Sequence, residues 1–285
     1  MNSDIHRFVD RQLSAWPLAG ANFKALENVH VREVEVNGLV VKLQFNPARM
    51  ISSAAKLSKE DIARRRCFLC VNNRPAEQEW LKYTPESGNE YHILVNPYPI
   101  FPEHLVVALS EHADQGIGGR YEDMLQMAKS YPDMTFFYNG PCCGASAPDH
   151  HHFQGVPRGL MPLEVSVGHS LSGNINNPLT EICVHQTSTL YHYDNFSTGI
   201  FVISSKSASS AQALFCRLLD CAEIQDGDTE PRINLYSWWN GEEYRTIVYF
   251  RKCHRSHHYF SDGADHLTMS PGCADMAGIF IVPVK

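Results

Sequence analysis

The sequence predicts an α+β protein in which antiparallel sheets are flanked by helices. Two Asn-Gly pairs, Asn37-Gly38 and Asn240-Gly241, are each bracketed by alternating apolar and polar residues, which is the pattern of a β-hairpin. Two segments, residues 4–15 and 207–222, repeat apolar residues at helical spacing. The chain therefore combines hairpins with amphipathic helices, as α+β proteins do.

The elements of the N-terminal part are predicted from periodicity and from start and stop signals. A helix covers residues 4–15, a capping box at Ser58 begins a second helix, and residues 119–130 form a third, with its methionines as core filler. Strands bounded by glycine, proline and polar clusters are expected at residues 31–36, 39–45, 91–95, 105–110 and 136–138.

After Pro162 the same kinds of element are predicted again. A helix is expected at residues 207–222, because its apolar residues fall on one side. Strands are expected at residues 164–167, 182–185, 200–203, 233–238 and 244–250, the last two joined by Asn240-Gly241. Residues 251–255, which carry enough charge to bind a phosphate, and the glycine-punctuated residues 270–278 could both contribute to a site. The favoured interpretation is a solvated strand end for the first and an ordinary loop before a final strand for the second.

Composition limits the classes of partner. With 285 residues and 44% hydrophobic content, the chain can form one large or two small cores. Its net charge is −7 and its basic residues cluster only at residues 64–66, whereas nucleic-acid surfaces need extended basic patches. No apolar run approaches the ~20 residues that cross a bilayer, and the N-terminus lacks the features of a signal peptide. We therefore expect a cytoplasmic protein with no nucleic-acid or membrane partner.

The segment at residues 139–154 carries the densest chemistry in the chain. If residues 150–154 are extended, His150, His152 and Gln154 share one face of a strand. A neutral imidazole can attack an α-phosphate, and a neighbouring amide can hold the phosphate oxygens without delivering water. The preceding loop adds Ser146 and backbone N–H groups near two glycines, which are suited to cradling phosphate. A surface histidine cluster and an incidental metal-binding tract are the alternatives.

A Cys-x-x-Cys pair, Cys67 and Cys70, indicates either half of a zinc site or a redox pair. No thioredoxin-like βαβ pattern surrounds it, which favours zinc, and the odd total of nine cysteines argues against a disulfide framework. Two histidines, His104 and His112, lie at the two ends of one apolar strand and are both candidates for further metal ligands.

The pattern His150-x-His152-x-Gln154, preceded by Gly144-Ala145-Ser146, resembles the His-x-His-x-Gln signature of the nucleotidyltransferase and phosphorylase branch of the histidine-triad superfamily. This branch includes galactose-1-phosphate uridylyltransferase, diadenosine tetraphosphate phosphorylase and GDP-L-galactose phosphorylase. The ending His152-Phe153-Gln154 is most similar to the phosphorylases. The resemblance implies two histidine-triad-like halves, which we place at residues 1–162 and 163–285.

The resemblance also implies a zinc site and a catalytic pair. His152 corresponds to the nucleophile, and Gln154 replaces the third histidine of the hydrolases. The zinc ligands of the uridylyltransferases correspond to Cys67, Cys70, His112 and His150. Zinc held by His150 would fix the strand that aims His152.

Substrate-binding residues are implied at four further positions. The segment ending in Arg49 is similar to a Ser-Pro-x-Arg segment whose arginine meets substrate phosphate. Asn96 follows a strand that resembles the uridine-binding segment, although Pro97 stands where that family has an acidic residue. Asn139 and Ser146 belong to the central motif, in which Ser146 is one residue further from His150 than in the uridylyltransferases.

The predicted function is nucleotidyl transfer through a nucleotidyl-histidine intermediate. The substrates implied are a nucleotide-sugar or a dinucleoside polyphosphate together with phosphate or a sugar phosphate, most similar to a phosphorylase. The alternatives are a nucleotide hydrolase of the same superfamily and a non-catalytic, zinc-stabilised nucleotide-binding protein. The base, the metal and the formation of a homodimer are left open.

Overall fold

The computed structural model describes residues 4–36, 38–46, 59–173, 178–194, 199–267 and 269–282. The helices in these ranges are α1 (Asp4–Ala15), α2 (Pro17–Leu26), α3 (Lys59–Arg64), α4 (Tyr121–Ser130), α5 (Pro162–Leu171), α6 (Ala208–Asp220) and α7 (Cys273–Met276). Throughout this described part of the chain, every helix is too short or too polar to span a lipid bilayer.

The strands form two sheets. They are β1 (His30–Val36), β2 (Leu39–Phe45), β3 (Leu81–Tyr83), β4 (Tyr91–Val95), β5 (Leu105–Leu109), β6 (Met134–Asn139), β7 (His152–Pro157), β8 (Leu179–His185), β9 (Ser188–Tyr193), β10 (Ile200–Ser205), β11 (Ile233–Trp239), β12 (Tyr244–Phe250) and β13 (Ile279–Val282). A three-stranded sheet has the order β1-β2-β13, and a ten-stranded sheet has the order β3-β4-β5-β7-β6-β11-β12-β10-β9-β8. The predicted α+β class is confirmed.

The larger sheet contains strands from both parts of the chain. Each part was expected to have its own antiparallel sheet, but β6 and β11 pair antiparallel and join the strands into one sheet. Without this pairing, the backbone N–H and C=O groups along one side of β6 and one side of β11 would lie unpaired at two sheet edges. The C-terminal β13 also returns to pair parallel with β2. The division at residue 162 stays a prediction.

Two hydrophobic clusters lie on opposite faces of the ten-stranded sheet. Neighbouring residues of β6 alternate between them, since Phe136 belongs to the first cluster and Phe137 to the second. Helices α1, α2, α4 and α6 contribute to the first cluster, and β2, β13, α5 and α7 to the second. The two methionines of α4, Met124 and Met127, are fully buried in the first cluster, as predicted for core filler.

Most predicted elements are confirmed, including both hairpins, although residue 37 of the first turn lies outside the described residues. Residues 164–167, predicted as a strand, instead lie in α5. Pro162 at the first helical position and Glu164 in the first turn are helix-start signals. A segment of four residues is too short to distinguish the period of a helix from the period of a strand. Strands β3 and β9 and helices α2 and α7 were not predicted.

We predict that Glu164 makes the stability of this fold fall as pH rises. The side chain is almost completely buried, where its Oε1 accepts hydrogen bonds from Thr135 Oγ1 at 2.8 Å and from the Gly159 N–H at 3.0 Å. Burial raises the pKa of this carboxyl from 4.5 to about 7. Between these values the folded chain holds a proton that the unfolded chain has lost, so the free energy of unfolding falls by about 3 kcal/mol as pH rises through that window.

The Glu164→Gln variant keeps the acceptor oxygen and removes the titration. We expect urea unfolding between pH 5 and pH 8 to show a flatter pH dependence for this variant than for the wild type, with higher stability at pH 8. Glu181→Gln, on the exposed strand β8, is the matched control and should leave the wild-type slope unchanged. Equal slopes for wild type and Glu164→Gln would contradict the assignment.

Candidate active site

A cavity of about 450 Å³ opens on the sheet face that carries Phe137. Five side chains of the predicted site line it, namely His152, Gln154, Asn139, Asn96 and Ser146. His152 and Gln154 lie on β7, which pairs with β5 on one side and β6 on the other. The site is therefore built on central strands of the sheet, with apolar walls from residues such as Leu94, Val106 and Ile100.

The His152 ring is 4% exposed and is held in one orientation. Its Nδ1–H donates to the carbonyl oxygen of His150 at 2.8 Å, which leaves Nε2 as the nitrogen with the free lone pair. The pKa of this ring is lowered to about 4, chiefly by burial, while the hydrogen bond to the His150 carbonyl oxygen acts in the opposite direction. His152 is therefore neutral near pH 7, the form in which an imidazole can act as a nucleophile.

The predicted alternation of the histidine segment agrees with the packing. The His151 ring lies on the other side of the strand, 4.8 Å from the Phe153 ring centroid and 6.1 Å from that of Tyr138. His150 and His152 face the opposite side. Alternate histidines therefore have different roles, since His151 packs in the hydrophobic core while its neighbours face the site.

Gln115 fixes the start of β7 against the end of β6. Its side-chain oxygen accepts the His152 N–H at 2.8 Å, and its NH₂ donates to the carbonyl oxygens of Asn139 at 2.9 Å and His152 at 3.0 Å. The amide thereby bridges two strands next to the reactive ring. Nothing in the sequence distinguishes Gln115 from a surface glutamine, because its partners are distant along the chain.

The side-chain amide of Gln154 is oriented by His104. The His104 ring is fully buried; its Nδ1 accepts the Ile100 N–H at 3.3 Å, so its Nε2 carries the proton and donates to Gln154 Oε1 at 2.8 Å. With its oxygen engaged, Gln154 presents its NH₂ as the donor in the cavity. His104 therefore positions Gln154 and lies apart from the metal-ligand cluster that His112 joins.

Asn139 connects β6 to the C-terminal segment. Its Oδ1 accepts hydrogen bonds from Asn234 Nδ2 at 2.8 Å and from the Cys273 N–H at 2.7 Å. In the loop after β6, Gly144 has φ +95° and a Cβ at this position would lie 2.6 Å from the Cα of Gly272. Only glycine allows this close approach of two backbones, which brings the two loops together at the cavity wall.

Four predicted metal ligands, Cys67, Cys70, His112 and His150, bring their ligand atoms within 4.8 Å of one another. His150 Nδ1 lies 3.3 Å from Cys67 Sγ, 3.6 Å from Cys70 Sγ and 3.3 Å from His112 Nδ1. A tetrahedral zinc site places nitrogen ligands roughly 3.3 Å apart, and nitrogen and sulfur ligands roughly 3.6 Å apart. One lone pair cannot hydrogen-bond to three partners, so the cluster fits a single cation at its centre.

The surroundings of the cluster hold the ligands in place. His150 Nε2–H donates to the carbonyl oxygen of Leu109 at 2.8 Å, which directs Nδ1 to the other ligands. Arg74 donates to the Leu69 carbonyl oxygen through Nε at 2.9 Å and Nη2 at 2.6 Å, inside the Cys-x-x-Cys loop. An ion pair between Arg65 and Asp149 ties this loop region to the residue before His150.

The remaining predicted residues differ in their placement. Arg49 lies outside the described residues. Asn96 lines the cavity, and its Oδ1 accepts the Tyr98 N–H at 2.9 Å, which holds the turn around Pro97. Ser146 lines the cavity and is exposed to solvent.

The C-terminal segment forms one wall of the cavity, an arrangement that the sequence allows but does not favour. Residues 251–255 and 270–278 were expected to be a solvated strand end and an ordinary loop. Instead, Arg255, Ser270, Gly272 and Asp275 line the cavity, and the short helix α7 lies within the predicted loop. The charged residues of the first segment and the glycines of the second were the available signals, but neither indicates which distant surface they meet.

The fold is shared with solved structures of the yeast Ap4A phosphorylase Apa2. In complex with Ap4A, that protein has a TM-score of 0.61 and 16% sequence identity, with 100% of this chain and 91% of that chain covered. In complex with AMP, it has a TM-score of 0.56 and 17% identity, with coverages of 96% and 89%. The architecture is therefore that of an Ap4A phosphorylase-like α+β protein.

The model of one protein family matches residues 8–157 and is described as a domain of unknown function, DUF4922. The chain belongs to this family. The match includes the Cys-x-x-Cys pair and the whole His-x-His-x-Gln segment. Among curated proteins, no sequence matches this chain.

Proposed function

We propose that this protein is a phosphorylase-type nucleotidyltransferase that acts on a dinucleoside polyphosphate through a nucleotidyl-His152 intermediate. The observation that carries the proposal is the buried, neutral His152 ring, whose Nδ1–H is bonded to the His150 carbonyl oxygen and whose Nε2 is free in a cavity. The Apa2 structures with the same fold are complexes with Ap4A and AMP, which favours this substrate class over a nucleotide-sugar.

In the first step, the lone pair of His152 Nε2 attacks the α-phosphorus of the substrate. A P–N bond forms, the bridging P–O bond breaks, and its electron pair leaves with the nucleoside polyphosphate. The Nδ1 proton stays on the ring and donates to the His150 carbonyl oxygen, which stabilises the positive charge that develops. The NH₂ of Gln154 donates to a non-bridging oxygen, and Ser146 and Arg49 are assigned to phosphate contacts.

In the second step, an oxygen of inorganic phosphate attacks the same phosphorus. The P–N bond breaks, its electron pair returns to Nε2, and a nucleoside diphosphate leaves. Gln154 contains no acid or base, so the site lacks a group to activate water at this position. This is why phosphate is proposed as the acceptor and water is not.

Zinc is the metal proposed for the cluster of Cys67, Cys70, His112 and His150, because two thiols and two imidazoles suit it. When bound, it supplies a fixed anchor for His150. The His150 carbonyl oxygen in turn accepts the His152 proton, so a rigid His150 keeps the nucleophile in one tautomer. The metal has no direct part in the chemistry.

Phosphate dependence tests the reaction class. With diadenosine tetraphosphate as substrate, we expect ADP and ATP in the presence of phosphate and a stalled enzyme without it. A hydrolase would release AMP and ATP at the same rate without phosphate. A non-catalytic nucleotide-binding protein would bind the substrate and release no product, and either of these outcomes would overturn the proposal.

We predict that Gln154 and His104 contribute to the same interaction. Gln154→Ala should lower kcat by roughly 10²–10³, because it removes a donor to the transition state. His104→Phe keeps a buried ring but loses the donor that orients the amide, and should lower kcat less, with a small change in KM. In the double variant, the His104 change should add little, because His104 Nε2 donates at 2.8 Å to the Gln154 oxygen that the variant has removed.

His104→Gln offers a matched rescue, since its amide nitrogen can replace the ring Nε2 as donor. We expect it to recover most of the activity lost in His104→Phe. If the two single effects instead multiply in the double variant, His104 acts through general packing and not through Gln154.

A further inference from the structure

The cavity has a second, unassigned polar group on its C-terminal wall, formed by Arg255 and Ser270. Arg255 Nε donates to Ser270 Oγ at 3.1 Å, and the guanidinium carbon lies 4.1 Å from the centroid of the Tyr259 ring. The hydroxyl and the aromatic face hold the planar guanidinium in one orientation. Within the described part of the chain, no carboxylate forms an ion pair with Arg255.

The position of Ser270 places this group beside the loop between β6 and β7, which the sequence predicts to cradle phosphate. Ser270 begins the segment whose Gly272 contacts both Asn139 and Gly144. Asn139 Oδ1 also accepts the Cys273 N–H at 2.7 Å, which fastens the segment to the end of β6. Arg255 therefore faces the same end of the cavity as Asn139, and not the apolar end around Trp16 and Leu18.

Charge makes this arginine distinctive. The chain has a net charge of −7, and among the described residues that line the cavity Arg255 is the single arginine or lysine. Asp275 also lines the cavity, but its two oxygens accept the N–H groups of Gly272 at 2.9 Å and Ile281 at 3.3 Å. A polyphosphate entering this cavity therefore meets one cation whose charge has no described counter-ion.

The surroundings of Arg255 add to the positive potential. Arg251 donates to neutral acceptors, Asn234 Oδ1 at 3.1 Å, the Pro271 carbonyl oxygen at 2.6 Å and the His254 carbonyl oxygen at 2.5 Å. The pKa of His254 is lowered to about 4, first by burial and then by the charges of Arg255 and Arg251. His254 is therefore neutral near pH 7, and the two arginines beside it supply positive charge to this wall.

We propose that Arg255 and Ser270 form a phosphate subsite that binds the oxyanions beyond the α-phosphate held at His152. This inference rests on the proposed function of the same cavity and adds the group that binds the far part of the substrate. The fork of a guanidinium matches two phosphate oxygens, and its Nη donors are oriented by the Ser270 and Tyr259 contacts. Two sources of such oxyanions exist, the polyphosphate chain of a nucleotide and the inorganic phosphate acceptor.

Two measurements on the wild type and on Arg255→Met separate these sources: calorimetric binding of AMP, ATP and inorganic tripolyphosphate, and the KM for inorganic phosphate during turnover. If the subsite takes the polyphosphate chain, affinity for ATP and tripolyphosphate falls roughly 10- to 100-fold while AMP binding is unchanged. If it takes the acceptor, ATP binding is unchanged and the KM for inorganic phosphate rises by a similar factor. Both results support a phosphate subsite at Arg255.

Three further variants exclude a general loss of structure. Arg255→Lys keeps the charge without the fork and should retain part of the affinity, and Ser270→Ala should weaken the same ligands less than Arg255→Met does. Arg217→Met on α6, outside the cavity, should leave all affinities at wild-type values. Unchanged affinity for every phosphate ligand and an unchanged phosphate KM in a folded Arg255→Met protein overturn the inference.

The calorimetric result does not depend on the proposed reaction. Loss of ATP binding in Arg255→Met, together with a wild type that turns over no dinucleoside polyphosphate, would retain the subsite and remove the proposed function. A fully active Arg255→Met enzyme with wild-type binding and wild-type phosphate KM would remove only the subsite.

Discussion

We expect the His152→Asn variant to lower the rate of nucleotidyl transfer by roughly four orders of magnitude or more, because it removes the proposed nucleophile. Asparagine can still donate from a position close to that of Nδ1, so the hydrogen bond to the His150 carbonyl oxygen is retained. What is lost is Nε2 and its lone pair. Steady-state turnover of diadenosine tetraphosphate with phosphate is the primary measurement.

A second measurement detects the intermediate directly. Wild-type protein incubated with α-labelled substrate without phosphate should carry an acid-labile nucleotidyl group, visible as label or as added mass, and His152→Asn should carry none. His192→Gln, which replaces a solvent-accessible ring on β9, is the matched control and should be labelled like the wild type. Covalent labelling of a folded His152→Asn protein would place the nucleophile elsewhere.

Removal of the metal should have the second largest effect, because the cluster joins three separate segments. Cys67 and Cys70 follow α3, His112 follows β5 and His150 precedes β7. We expect about one zinc ion per chain in the wild type and a large loss of zinc in Cys67→Ser. Structural zinc contributes on the order of 10 kcal/mol of apparent folding free energy in small zinc domains, so even partial loss should lower the melting temperature by roughly 5–10 °C.

Activity should fall together with the metal. His150 and His152 lie two residues apart on the same segment. If the His150 ring is no longer held by the metal, the His150 backbone can move, and the hydrogen bond between its carbonyl oxygen and His152 Nδ1–H is weakened. Metal content by elemental analysis, thermal unfolding and turnover should change together in Cys67→Ser and after chelation. Cys183→Ser, on the exposed strand β8, is the control and should behave as wild type. A metal-free wild-type protein with unchanged stability and turnover would contradict a structural zinc site.

Much of the site follows from short-range patterns. The spacing of His150, His152 and Gln154 puts these side chains on one side of an extended segment, because successive side chains point to opposite faces. The Cys-x-x-Cys loop likewise brings two thiols close together through four residues alone. These are local consequences of backbone geometry, and the structure agrees with both.

Other parts of the site have no local signal. No local pattern identifies the roles of His104, Gln115 and Arg255, because each contacts a partner that lies 15 to 50 residues away along the chain. The same holds for Glu164, whose high pKa comes from burial between α5 and β6. Where the sequence prediction was wrong, at residues 164–167, a segment of four residues was too short to show its period.

The sequence by itself determined most of the strands, several amphipathic helices, the histidine motif and the candidate ligands, since each depends on residues within a few positions of one another. Only the tertiary structure decided that β6 pairs with β11, that β13 returns to β2, and that the C-terminal segment closes the cavity at Gly144 and Gly272. The physical reason is that pairing between distant strands is made by backbone groups, which every residue carries and no local pattern identifies.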